Sequence, residues 1–304
     1  MTGRRALLIV NRKARNGRSD LAAALEGLAA SGITLLDVPA STPKEAMAAI
    51  RDHRKDVDLL IVGGGDGTFN TLAEILVEAG LPVGVLPLGT ANDLARTLGI
   101  PPSLEEACAV IAGGRQHRID LGSVNGKLFF NVASMGLSTE LSRKLTRDEK
   151  RRWGVLGYAF RSWDAWRSSR PFRATIVADG KRLQVRSIQI SVGNGRFYGG
   201  GMAIAEEAVI DDQRLDLYSL EPLGFWRLAA VLPAFRSGPH KRLEPFHCVQ
   251  AERIEIETSI PMEIDTDGEL TTRTPARFHV IPEALSVFVP ADDNPGLKDS
   301  RDVA

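Results

Sequence analysis

Apolar runs of strand length alternate with helix-like stretches through the first third of the chain. Ala6–Val10, Ile33–Val38, Asp58–Val62 and Leu81–Leu86 predict strands. Between them, Ser19–Ala30, Pro43–Arg51, Phe69–Ala79 and Asn92–Leu98 predict helices, and Ser103–Ala112 follows as another. Ser19 or Asp20 suits a helix cap, and Pro43 suits a first turn. Strands that are apolar almost throughout and alternate with helices predict a parallel, doubly wound α/β sheet. Such sheets bind ligands outside the carboxyl ends of their strands.

The pattern changes near Arg118. Ile119–Val124 and Leu128–Ala133 flank Asn125-Gly126, a strong hairpin signal. Further short strands are predicted at Ala174–Ala178, Val185–Val192, Leu215–Leu220, Arg253–Thr258, Met262–Thr266, Ala276–Val280 and Leu285–Val289, with one helix at Trp226–Phe235. This composition predicts an antiparallel β-rich sandwich. The polar tail after Asp292 predicts disorder.

Two strand tips carry candidate chemistry. The strand ending at Val62 runs into Gly63-Gly64-Gly65-Asp66-Gly67-Thr68. Glycines there let backbone amides approach an anion, and the following helix adds its positive end. A carboxylate beside phosphates needs a cation between them, so Asp66 points to Mg²⁺. A plain glycine-rich turn is the alternative. The next strand leads into Leu88-Gly89-Thr90-Ala91-Asn92-Asp93. A helix cap explains Asn92 or Asp93 taken alone, but neighbouring tips can bring Asp66 and Asp93 around one pocket. Three further clusters stand out: Asp120, which interrupts a strand; the paired acids Asp211-Asp212; and Glu269 just past Asp267-Gly268. The first two also suit ordinary turn acids. Glu269 suits either a general base or a solvated hairpin acid.

Composition narrows the setting. The chain has 304 residues, 43% hydrophobic and 25% charged, with zero net charge. That length suits two domains or one large one, and no global field draws the protein to nucleic acid. Two cysteines, Cys108 and Cys248, suit reduced thiols in a cytoplasmic protein. The first apolar run is too short for a signal peptide, and no stretch approaches a membrane span. Residues 143–173 hold ten basic residues against three acidic ones, interleaved with Trp153, Tyr158, Phe160, Trp163 and Trp166. Such a mixture suits a lipid headgroup interface or an amphipathic helix packed on the protein.

Taken in order, these motifs resemble the diacylglycerol kinase catalytic-domain superfamily, most of all its soluble bacterial lipid kinases. The likeness runs from about Arg5 to Pro290. It implies a nucleotide-binding α/β domain over residues 1–125, a lipid-binding β-sandwich domain over 126–282, and a segment from about 283 to 304 able to pack back on the first. It implies ATP bound near Asn11, Ser41, Thr42, Gly63, Gly64, Gly65, Asp66, Gly67, Thr68, Gly89, Thr90 and Asn92. Asp66, Asp93 and Asp120 would form an acidic network near a catalytic Mg²⁺, and Glu269 would be the base. Asp212 would hold a structural Mg²⁺ with the carbonyls of Val209 and Arg214. Lys13 or Arg15 could touch phosphates, or could form a solvated basic loop.

Two departures from the family pattern are visible. Asn11 is followed by Arg12-Lys13 rather than proline and a small residue, and Gln213 stands where the family usually has glycine. The implied activity is an ATP- and Mg²⁺-dependent lipid kinase, cytoplasmic and transiently at the membrane surface. The acceptor would be a membrane lipid and no nucleic acid would be bound. The oligomeric state stays open, with a homodimer as one option. An NAD kinase shares the first glycine loop, but Gly89–Asp93 and Asp267-Gly268-Glu269 argue against it. A non-catalytic nucleotide-binding regulator is the other alternative, and retention of all four acids argues against that.

Overall fold

The computed structural model describes residues 3–10, 18–139, 170–198, 201–203, 208–224, 246–291 and 297. Asn11, Lys13, Arg15, the helix expected at 226–235 and residues 140–169 of the basic–aromatic segment lie outside them.

The elements run β1 (Arg4–Val10), α1 (Arg18–Ala30), β2 (Ile33–Asp37), α2 (Pro43–His53), β3 (Leu59–Gly64), α3 (Asp66–Ala79), β4 (Val83–Pro87), α4 (Asp93–Thr97) and α5 (Leu104–Gly113). They continue as β5 (Gln116–Val124), β6 (Lys127–Phe129), β7 (Val132–Gly136), β8 (Phe172–Ala178), β9 (Lys181–Ser187), β10 (Gln189–Gly193), β11 (Phe197–Tyr198), β12 (Met202–Ala203) and β13 (Leu215–Leu220). The last are β14 (Phe246–Ala251), β15 (Arg253–Thr258), β16 (Glu263–Thr266), β17 (Glu269–Arg273) and β18 (Ala276–Phe288).

The parallel part has the order β2-β1-β3-β4. Strands β1, β3 and β4 are buried because helices lie against the sheet, and Leu7, Ile61 and Leu60 are fully shielded, while edge strand β2 buries only Ile33. This is the doubly wound α/β sheet that the alternation predicts. The sheet then changes character at β18. Val287 pairs in parallel with Val83 of β4, while the strand runs antiparallel along β5 and, through Arg253–Ile256, β15. Two strand predictions, Ala276–Val280 and Leu285–Val289, thus merge into one long strand. The two pieces read as separate because Glu283 takes a left-handed turn at φ 49° and the register shifts between Ile281 and Leu285.

The antiparallel arm β18-β15-β8-β9 faces a second sheet, β14-β13-β10-β7-β16-β17. Alternate residues from both sheets, including Ile176, Ile254, Phe278, Ile190, Val192 and Leu217, fill one apolar layer. That is the β-rich sandwich, built on the period-two rule for side chains. Leu128–Ala133 reads as one strand but breaks at Phe130-Asn131, where the chain leaves the first sheet at β6 and enters the second at β7. Among the described residues no helix is long and apolar enough to cross a membrane.

Candidate active site

The glycine run divides by role. Gly63 and Gly64 belong to β3, Gly65 caps α3 with extended backbone, and Asp66 opens the helix. The helix therefore begins three residues before the predicted Phe69. Thr68 N donates to Gly65 O at 2.8 Å, which makes Asp66-Gly67-Thr68 its first turn. The effect is to fix Asp66 on a rigid element. A helix of 14 residues directs its positive end at the same place.

The second loop lies directly against the first. A Cβ on Gly65 would meet the Gly89 Cα at 2.9 Å, and one on Gly89 would meet the Gly65 Cα at 2.5 Å. Only two glycines permit that approach. Asn92 holds the loop in shape: its Oδ1 accepts from Gly89 N at 2.8 Å and its Nδ2 donates to Gly89 O at 3.1 Å. Asn92 itself sits at φ 51°, a conformation asparagine tolerates better than most residues. The Leu94 amide, one residue past Asp93, donates to Asp66 Oδ1 at 3.1 Å. Asp66 and buried Asp93 thus open two helices joined by one hydrogen bond. Thr90 is exposed beside them.

Ser41 and Thr42 lie past β2, on the same carboxyl edge, and they cap α2. Thr42 Oγ1 accepts from Glu45 N at 3.3 Å, and Ser41 N donates to Glu45 Oε2 at 2.7 Å. Glu45 thus reaches one residue past the amide used in a capping box, and the hydrogen-bonding groups engaged are the Thr42 hydroxyl and the Ser41 amide.

The β16–β17 hairpin comes to the glycine loops from the other half of the chain. Asn70, in the second turn of α3, donates Nδ2 to Thr266 O at 2.8 Å. The hairpin turns at Asp267 and Gly268, with φ 49° and 87°. Glu269 pairs with Thr266 across it and is exposed. The Asp267 carboxylate accepts from three successive amides: Phe130 at 2.8 Å, Asn131 at 2.9 Å and Val132 at 3.0 Å. Burial pushes its pKa up to about 6, the three amides oppose that shift, and the charge of Asp66 adds to it. Asp66 is therefore close enough to be felt by the hairpin tip. Asp265 is buried further down the hairpin; burial raises its carboxyl to about 7 against the lowering effect of its hydrogen bond from Thr139. Sequence reasoning missed Asn70, Asp265 and Asp267. For Asn70 the one available signal was an amide side chain one turn past the glycine loop.

The donor set suits a hard cation at the loops. Asp66 and Asp93 offer carboxylate oxygens on abutting helix ends. Among the described residues neither Asp66 nor Asp267 makes a salt bridge, although the two acids face each other electrostatically. Oxygen-rich sites of this kind suit Mg²⁺.

Asp120 is buried in β5; Oδ2 accepts from Gln213 N at 2.6 Å and Oδ1 from Glu283 N at 2.7 Å. The carboxylate thereby ties two backbone loops to β5. At the turn where Val209, Asp212 and Arg214 are expected to hold a structural metal, the Asp212 carboxylate is hydrogen-bonded. Asp212 Oδ1 accepts from Arg214 N at 2.9 Å and Oδ2 from Gln250 Nε2 at 3.0 Å. Asp211 pairs with His117 Nε2 at 2.6 Å, and Gln213 reaches the left-handed turn at φ 62° without being glycine. Each Asp212 oxygen thus accepts a hydrogen bond from the protein at this turn. No cluster of three metal-ligating acids, histidines or cysteines occurs among the described residues.

Comparison with known proteins agrees with this layout. Residues 5–124 match the sequence model of the diacylglycerol kinase catalytic domain, and 131–289 match the YegS C-terminal NAD kinase beta sandwich-like domain. A "Probable lipid kinase YegS-like" protein of Pseudomonas aeruginosa is 34% identical over 76% of this chain and 76% of its own. The "Diacylglycerol kinase" of Bacillus subtilis is 30% identical over 81% of this chain and 82% of its own. A crystal structure described as a diacylglycerol kinase from Bacillus anthracis superposes with a TM-score of 0.78 at 27% identity, covering 96% of this chain and 99% of that one. With paired glycine loops, an acid at the first helix start and a glutamate hairpin in the second half, the chain belongs to the diacylglycerol kinase catalytic-domain family.

Proposed function

We propose that the protein is an ATP- and Mg²⁺-dependent lipid kinase that transfers the γ-phosphate of ATP to a hydroxyl of a membrane lipid, of diacylglycerol type or related to it. Its relatives are named lipid kinases and diacylglycerol kinases, so its class is a phosphotransferase with an alcohol acceptor. The observation that supports the finer reading is the Asn70 bond to Thr266 O at 2.8 Å, which ties the helix opened by the phosphate-type loop to the hairpin that carries Glu269.

Phosphoryl transfer needs positioning and charge neutralisation more than covalent help. Amides at Gly65, Asp66 and Gly67 would hold phosphate oxygens without reorganising. Asp66 and Asp93 would hold Mg²⁺, which supplies positive charge to the phosphates when bound. Glu269 would take the proton of the acceptor alcohol, a step of general-base catalysis worth roughly 10²–10⁴-fold. Its exposure suits a group that must meet a substrate arriving from a bilayer. Docking of residues 143–173 on anionic lipid belongs to the same proposal, and vesicle sedimentation with and without anionic lipid tests it.

The decisive experiment incubates the protein with labelled ATP and a total bacterial lipid extract, with Mg²⁺ or with chelator, and with NAD in a parallel tube. A labelled lipid formed only with Mg²⁺ supports the proposal. Labelled NADP, or no product in either tube, rejects it.

A further inference from the structure

We propose that Asp267 is the positioning residue of Glu269: it seats the hairpin tip on the strand crossover at Phe130–Val132 and so aims the glutamate at the glycine loops. The inference rests on Glu269 being the base.

The geometry separates Asp267 from the other acids of the site. Both of its oxygens are taken up by the amides of Phe130, Asn131 and Val132. A carboxylate so engaged is poorly placed to ligate a cation or take a proton. Its own amide donates to Val132 O at 2.9 Å, so the tip and the crossover grip each other in both directions. The crossover is itself held from behind. Asn194 donates Nδ2 to Phe130 O at 2.9 Å and to Asp120 O at 3.0 Å, and its amide donates to Asn131 O at 2.8 Å. The Phe130 ring meets the Phe69 ring of α3 edge-on at 6.2 Å. The seat is thus fixed to the helix that begins with Asp66.

The hairpin is lightly held near its tip. β16 pairs with β7 at only two positions, Asp265 with Ser134 and Thr266 with Ala133. β17 is the edge strand of its sheet, and Glu269 and Leu270 are exposed. The tie from the tip to α3 is the Asn70 bond to Thr266. Without the Asp267 carboxylate, the sheet would stay paired and the tip would keep its amide bond to Val132 O and the Asn70 tie, but it would lose the three bonds that fix its angle on the crossover. Misplacement of a reacting group by about 1 Å can cost on the order of 10²-fold in rate.

The test compares Asp267→Asn, Glu269→Gln and the double variant, using the full chain, ATP, Mg²⁺ and the lipid acceptor. Asparagine keeps the size and the left-handed turn but presents a donor where amides also donate. Asp267→Asn is expected to lower kcat by about 30- to 100-fold with the KM for ATP within about twofold. In the Glu269→Gln background it is expected to have no further effect, because a positioning residue acts only through the group that it positions. Full activity of Asp267→Asn overturns the inference, as do losses that multiply in the double variant or a kcat loss matched by a rise in KM. Full activity of Glu269→Gln instead overturns the base assignment, and so reads as a different failure. If Asp267→Asn does not fold, Asp267→Gly accepts the turn without strain and carries the same comparison.

Discussion

Gly65 and Gly89 pass so closely that a methyl group on Gly89 would lie 2.5 Å from the Gly65 Cα, well inside contact distance. Neither backbone can yield cheaply, because Gly65 caps α3 and Gly89 is gripped by Asn92. Gly89→Ala should therefore part the loops. The expected outcome is a rise in the KM for ATP of at least about tenfold with a lower unfolding temperature, as for other overpacked sites. Nucleotide titration and thermal melts check it.

Asn70 is the side-chain tether between α3 and the hairpin. Asn70→Ala removes a bond of 2.8 Å to Thr266 O. A net hydrogen bond is worth about 1 kcal/mol, so kcat should fall by about fivefold, with nucleotide affinity unchanged. Steady-state kinetics at saturating ATP provide the measurement. A change confined to ATP affinity would place Asn70 in the nucleotide site instead.

Asp265 ties stability to pH. Burial lifts its carboxyl from 3.8 to about 7, so between those values the folded chain keeps a proton that the unfolded chain has released. Stability from this group is full below the unfolded value and drains away as pH climbs from there through about 7. The slope is about 1.4 kcal/mol for each step of one in pH. Asp265→Asn has no such proton. Relative to the parent it should gain stability between pH 5 and pH 7.5, read as a difference in urea midpoints at the two pH values. A constant difference would show that Asp265 does not titrate there.

The turn at Asp212 should be indifferent to divalent cations. Its oxygens are held by Arg214 N and Gln250 Nε2. Chelator should move the unfolding temperature of the nucleotide-free protein by less than about 1 °C, since a cation that does not bind the native state cannot stabilise it. Gln250→Ala should cost about 1 kcal/mol by leaving an acceptor underused. A chelator-induced drop of several degrees that Asp212→Asn abolishes would show that a cation is held there.

The sequence showed the two glycine loops and the exposed Glu269 because their chemistry is local: glycines in a row, a strand before, a helix after. It also showed the parallel sheet and the sandwich, since period and apolar runs report burial directly. It did not show that Asp66 begins a helix, because Gly-Asp-Gly-Thr reads as loop by propensity, whereas packing of Phe69 and Leu72 carries the helix back to Asp66. Asn70 and Thr266 are 196 residues apart, and no local rule links them. For Asp120 and Asp212 the sequence shows carboxylates beside strands, but not the protein donors that reach them. Only the fold reveals which donor arrives, here Gln213 N and Glu283 N for one and Arg214 N and Gln250 for the other.

Among the described residues β5 reaches the parallel strands only through β18, the last strand described. During synthesis, then, the first 124 residues would leave the ribosome with the parallel sheet unfinished. Its edge at β4 waits for Val287, some two hundred residues later. A truncation that spares every glycine and acid of the loops but removes β18 would leave that edge open.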